Sequence, residues 1–133
     1  LSSKLSGTYQ SACIAASEYE DKVYVVDSEN VTVGEQILVD YAVSLINKNI
    51  CVKDIVKQLN TMKKRIRLVA LLDTLEYLKK GGRISSGAAF LGNVLSIKPV
   101  IAIADGEVSF LGKARGSNKA IISSYSRCRH MVA

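Results

Sequence analysis

Apolar residues recur along this chain with two periods, and the alternation between them outlines the elements. Tyr9, Ala12, Cys13 and Ala16 return at three- and four-residue steps, which predicts a helix from residue 7 to about 19 with Ser6 as its N-cap. The β-branched run "KVYVVDS" that follows predicts a buried strand. "TVGEQILVDYAVSLINKN" carries a continuous stripe of Ile37, Leu38, Tyr41, Ala42, Leu45 and Ile46. Thr32 and Glu35 have capping-box spacing at its start, and Asn47 or Asn49 offers a left-handed stop. Val52, Ile55, Val56, Leu59 and Met62 predict a third helix to about residue 64.

After that helix the pattern changes. "RLVALL" predicts a second strand, and "DTLEYLKKGG" a helix of about two turns. Asp73 and Glu76 have capping-box spacing there, Lys79 and Lys80 lie at the negative end of the dipole, and Gly81 supplies the stop. "SSGAAFLGNVL" predicts another helix. Two apolar runs around Asp105-Gly106 predict an antiparallel hairpin, and the chain reads as helical again from about Ser117. The class is therefore α/β: a parallel α/β part over 1–65, then a second α/β part with a mixed or antiparallel sheet over 66–133. No internal repeat is visible.

Composition narrows the function classes. Hydrophobic residues at 48% supply a core, and 23% charged residues is ordinary for a globular chain. No stretch of 18 or more apolar residues predicts a spanning helix, and no signal peptide is recognisable. Eighteen basic against twelve acidic residues give +6, which attracts anionic partners in general. The densest basic run is Lys63, Lys64, Arg65 and Arg67, with Arg127 and Arg129 near the end; the ordinary reading of such runs is a solvated face. Aromatic interleaving and reading motifs are missing, so nucleic acid is not the expected partner. Cys13, Cys51 and Cys128 match no metal spacing and read as buried thiols in a reducing compartment. His130 stands alone.

Candidate chemistry concentrates in three places. "SSKLSGTYQSA" gathers Ser3, Ser6 and Thr8 around Gly7 at a helix start, where N–H groups lack partners and the dipole is positive. That arrangement serves simple helix capping, the more ordinary reading, or the anionic end of a ligand, and it is neither a P-loop nor a dinucleotide fingerprint. "KKGGRIS" aims Arg83 with one glycine more than a C-cap needs; Arg83 either binds an anion or pairs with Glu76 or Asp73. "GKARGSNKA" sets Lys113, Arg115 and Lys119 around Gly116, as an exposed basic turn or a docking patch. No catalytic set and no metal cluster emerge.

Taken in order, "SSKLSGTYQSA", "VYVVDSENVTVGEQILVDYA", "DTLEYLKKGGRIS", "LGNVLSIKPV" and "DGEVSFLGKARGSNKAI" resemble the central part of the DegV family of bacterial fatty-acid-binding proteins. That resemblance implies two α/β domains, the first Rossmann-like, with a lipid tunnel between them. It implies a long-chain fatty acid as ligand, no cofactor, no catalysis by the chain itself, and presentation of the acid to a separate fatty acid kinase. It places Ser6 first and Ser3 next at the carboxylate, with Gly7, Thr8 and Arg83 beside them, and Arg115 and Lys113 at a partner-docking face. Cytoplasmic residence without membrane insertion follows from the same resemblance. The family pattern also has a strand and an Asp-Ser turn ahead of these motifs and a His-containing motif behind them, so the chain is expected to be a fragment. Exposed apolar edges then predict self-association as a homodimer. The competing readings are a phosphometabolite-binding kinase component of related fold and a basic nucleic-acid-associated regulator.

Overall fold

In a computed structural model of the chain, residues 1–19, 22–84 and 97–115 are described. The chain divides into two compact units, Leu1–Ile66 and Arg67–Ala133. The helices expected over 85–95 and beyond Ser117 lie outside the described residues, as do Cys128, His130 and the Arg127/Arg129 pair.

The first unit contains α1 (Thr8–Ala16), α2 (Thr32–Ile46) and α3 (Val52–Met62), with a 3-10 turn over Lys63–Arg65. On α1 the half-buried positions are Tyr9, Ala12, Cys13 and Ala16, the face that the periodicity selects. Its N-cap is Gly7, not Ser6, and no side chain caps it. On α2, Leu38 and Leu45 are buried while Ile37 and Ile46 are exposed, so the inner stripe is narrower than predicted. Val33, Val39 and Val43 are exposed on the same helix. The Thr32–Glu35 capping box does not form: Thr32 has φ +50° and Glu35 pairs with the Leu1 amino group. Asn49, at φ +56°, makes the left-handed turn after α2. Ile55 is the buried anchor of α3, and Tyr41 of α2 donates a hydrogen bond to Gln58 Oε1 at 2.9 Å.

The run 22–28 is not assigned as a strand. It lies in a unit whose described elements are all helical, and an isolated extended segment has no ladder to join. Cys51 is exposed rather than buried, because it occupies the N-cap position of α3, where its thiol faces Asp54 Oδ2 at 3.1 Å.

The second unit contains β1 (Leu68–Leu71), α4 (Glu76–Lys80), β2 (Ile97–Ala104) and β3 (Glu107–Arg115). The strands form one antiparallel sheet in the order β1-β2-β3. Asp105 and Gly106 have φ +50° and +80°, the two positive values of a type I′ hairpin turn. Leu75, Ile84 and Ile101 make the core, with Ala70, Leu72, Leu78, Val108 and Phe110 packed against it.

One expectation about α4 needs correction. Asp73 does not cap the helix; its carboxylate accepts a hydrogen bond from Lys98 Nζ at 2.7 Å, and Glu76 pairs with Lys80. Gly81 is the C-cap, as the sequence predicts; it is right-handed, and Gly82 takes φ +68°. The Gly82 N–H bonds to the Lys79 carbonyl at 3.0 Å and the Arg83 N–H to the Leu78 carbonyl at 2.9 Å, the paired bonds of a Schellman ending. The following Ile84 then packs with Leu78. Gly82 is therefore accounted for by chain reversal. Gly82→Ala is expected to lower stability by about 1 kcal/mol, the cost of a Cβ in the left-handed region, and Gly81→Ala by clearly less. Urea denaturation of the two variants at neutral pH checks the order.

Candidate functional site: the opening loop and its support

The opening hydroxyl cluster rests on a polar turn at 27–30. Asp27 Oδ1 accepts the Glu29 N–H at 2.9 Å and the Ser3 N–H at 3.1 Å. The Ser3 hydroxyl bonds to the same carboxylate. Ser28 Oγ accepts the Asn30 N–H at 3.2 Å and donates to the Asn30 carbonyl at 3.0 Å. That carbonyl also accepts the Ser2 N–H at 3.0 Å, which ties the opening loop to the turn.

Ser2 is wholly buried. Its carbonyl accepts the N–H groups of Leu5 and Ser6 at 3.2 and 3.1 Å, and its Oγ accepts the Lys4 N–H at 3.3 Å. One serine thus organises the whole loop before α1. The turn is held in place by Lys63, which is only 9% exposed. Its Nζ donates to the Asp27 carbonyl at 2.9 Å and pairs with Glu29 Oε1 at 2.9 Å. A buried ammonium is tolerated only when so matched.

Asn30 is similarly constrained. Its Nδ2 donates to the Ser28 carbonyl at 3.1 Å, while its buried Oδ1 has no hydrogen-bond partner. Oδ1 points at Gly34 in the first turn of α2, where a Cβ would lie 2.4 Å from it. Gly34 is therefore a close-approach glycine, and the turn and helix start are fitted to each other. Glu29 and Thr32, either side of Asn30, take φ +49° and +50°. For a β-branched threonine that conformation is strained, so the fit is obtained against local preference.

On this support the candidate ligand groups come together. Ser6 Oγ donates to Thr8 Oγ1 at 2.9 Å and accepts the Thr8 N–H at 3.2 Å. The Tyr9 and Gln10 N–H groups in the first turn have no intrahelical acceptor. Gly7 has φ −66°, so its backbone does not require glycine, but the space where its side chain would stand is open. Ser6 is half-buried; Ser3, Gly7 and Thr8 are exposed. The loop therefore presents a hydroxyl pair and free N–H groups around an open patch. That is a donor array suited to a carboxylate.

Arg83, Lys113 and Arg115 belong to the other unit. The Arg83 guanidinium folds back to donate to the Gly81 carbonyl and is exposed, while Glu76 and Asp73 are engaged by Lys80 and Lys98. Lys113 is exposed on β3 opposite Pro99, and Arg115 stands opposite Ile97. Sequence reasoning missed Ser2, Asn30, Gly34 and Lys63. The available signal was Lys63 itself, a charge four residues after Leu59 and eight after Ile55, on the inner stripe of α3. Among the described residues no group of three or more His, Cys, Asp or Glu is placed to hold a metal, and no helix is long and apolar enough to cross a membrane.

An α/β chain whose hydroxyl-glycine loop opens a helix, with a glycine-glycine-arginine helix ending and a basic strand in its second unit, matches one family throughout. The profile described as "Uncharacterised protein, DegV family" covers residues 1–130, and the chain belongs to the DegV family. It is 39% identical over 122 residues to a DegV domain-containing protein of Clostridium perfringens, an overlap of 91% of this chain and 44% of that protein. The structure described as "Fatty Acid Binding of a DegV family Protein from Thermus thermophilus" superposes with a TM-score of 0.84 at 37% identity, covering 98% of this chain and 46% of that one. "DegV, a fatty acid binding protein from Bacillus subtilis" gives 0.78 at 35% identity, over 97% and 46%. A Eubacterium eligens DegV protein loaded with heptadecanoic acid gives 0.88 at 25% identity, over 98% and 49%. The chain thus spans a little under half the length of these relatives.

Two expectations concern the support. Lys63→Met should cost roughly 2–3 kcal/mol in urea unfolding, since it strands the Glu29 carboxylate and the Asp27 carbonyl together. Burial pushes the Asp27 carboxyl up, but the Ser3 hydroxyl, the Glu29 and Ser3 N–H groups and the Lys63 charge outweigh it and hold it below the usual range. A lowered native value stabilises above the unfolded value, about 3.9, and that contribution disappears as pH falls through the native one. Asp27→Asn should therefore cost about 1 kcal/mol at pH 7, with the gap to the unsubstituted chain closing below about pH 4. Unfolding curves across that range check the sign.

Proposed function

We propose that this chain is the head-group-binding portion of a DegV fatty-acid carrier. The carboxylate is received at the start of α1, by Ser6 first and then Thr8, with Gly7 leaving room for its approach. Ser3 serves next, exchanging its bond to Asp27 for one to the ligand, and Arg83 adds positive charge. The acyl chain lies in the lipid tunnel that the family resemblance implies. A dozen buried methylenes at about 0.8 kcal/mol each offer roughly 10 kcal/mol before ordering costs, so the head-group contacts need only orient the acid. The carrier does no chemistry itself. It presents the carboxylate to a separate fatty acid kinase in the cytoplasm, docking through Lys113 and Arg115.

The observation that supports this most directly is the open donor array at Gly7 in a chain similar to proteins described as fatty-acid-binding. Native mass spectrometry of the full-length protein containing this chain is expected to show a co-purifying long-chain acid. Ser6→Ala with Thr8→Ala should weaken its binding by about tenfold or more, in line with two lost hydrogen bonds to a charged group. Lys113→Glu with Arg115→Glu should leave binding intact and slow kinase-dependent acyl phosphate formation. Recovery of the protein empty, or unchanged lipid uptake in the Ser6/Thr8 variant, would overturn the assignment.

A further inference from the structure

The basic run at 63–67 is divided by the fold. Lys63 turns inward to Glu29 and the Asp27 carbonyl. Arg65 instead lines a surface depression of about 220 Å³ between α2 and α3, with Tyr41, Lys57, Gln58, Thr61 and Met62. We infer that this depression is a second binding site, separate from the opening loop, which receives an acidic side chain from a peptide segment of a partner protein.

Two cationic groups, Lys57 and Arg65, and the Gln58 amide face the depression. Tyr41 donates to Gln58 Oε1, which fixes the amide so that its NH2 end remains available. Thr61 spends its hydroxyl proton on the Lys57 carbonyl at 3.1 Å and serves only as part of the wall. Lys57 shares its ammonium with Asp54 at 3.2 Å, an exposed pair that a competing carboxylate displaces cheaply. Arg65 forms no ion pair among the described residues, and its planar fork suits bidentate contact with a carboxylate. Half-buried Tyr41 and Met62 supply apolar wall for a short methylene stem. The volume falls short of the roughly 300 Å³ at which small-molecule pockets begin, and it admits one side chain. The surplus of eighteen basic over twelve acidic residues steers an acidic segment toward this chain.

The test uses the 133-residue chain and a rhodamine-labelled hexaglutamate peptide, read by fluorescence anisotropy at low salt. Arg65→Glu should weaken binding by about tenfold or more and Gln58→Leu by about threefold or more, while Lys48→Glu, an equal charge change on another part of the same unit, should change it by less than about twofold. Circular dichroism confirms that each variant is folded, and Arg65→Gln with Gln58→Glu repeats the comparison if one is not. An equal loss from Lys48→Glu, or indifference to Gln58→Leu, would show that net charge alone attracts the peptide and overturn the site. So would the absence of binding, or displacement of the peptide by an oligothymidylate whose own binding depends on the same two residues.

Discussion

The geometry of the first unit depends on one buried cation. Lys63 sits at the end of α3, and its ammonium reaches the turn at 27–30 through the Asp27 carbonyl and the Glu29 carboxylate. The turn holds the opening loop through Asn30 and Asp27, and the loop sets the start of α1. The bond between buried Ser2 and buried Asn30 is made where water is largely excluded, so it cannot be exchanged for solvent without penalty, while the Ser3–Asp27 bond lies at the surface. The hydroxyls of the candidate ligand groups, Ser6 and Thr8, take part in none of these anchoring bonds. They are positioned by the network and left free to bind, which is the division of labour expected of a preorganised site.

The same division explains the composition of "SSKLSGTYQSA". Its hydroxyl side chains look equivalent in the sequence, yet Ser2 is structural, Ser3 is held by Asp27, Ser6 and Thr8 bond to each other, and Ser11 bonds back to the Gly7 carbonyl. None of these side chains caps α1, so the capping reading of the cluster is set aside: Ser2 and Ser3 fasten the loop, and Ser6 and Thr8 are left as the candidate donors.

What could be read from the sequence was what depends on short separations. The inner faces of α1 and, apart from exposed Val52, of α3 follow from 3.6-residue periodicity, and Asp105-Gly106 specifies its turn by local conformational preference alone. The left-handed Asn49 is equally local. The capping boxes failed for the opposite reason. Asp73 is claimed by Lys98, 25 residues away, and Glu35 by the Leu1 amino group, 34 residues away, and spacing motifs carry no information about such competitors. The apolar run 22–28 has strand composition, but a strand is a relation to a neighbour and not a property of a segment. Lys63 was hidden because a lysine within a basic run is ordinarily solvated; only its place on the α3 stripe marked it. The family was legible because its motifs are short, ordered and rich in glycine.

The pairing of β2 with β3 slips by one residue between Val100 and Ile101: Ile101 stands opposite Phe110 but Val100 opposite Gly112, leaving Leu111 as the extra residue. Side chains alternate sides along a strand, so this single residue exchanges the two surfaces for everything that follows it. With an uninterrupted ladder, Lys113 would lie directly across from Lys98, two like charges side by side. As built, Lys98 meets Ala114 and keeps its bond to Asp73, while Lys113 is transferred to the side shared by Pro99 and Phe110. The side of the sheet that carries this positive charge is thus decided at Leu111, beyond the hairpin turn, by a miscount in the ladder, and an insertion or deletion there would move it without altering a single basic residue.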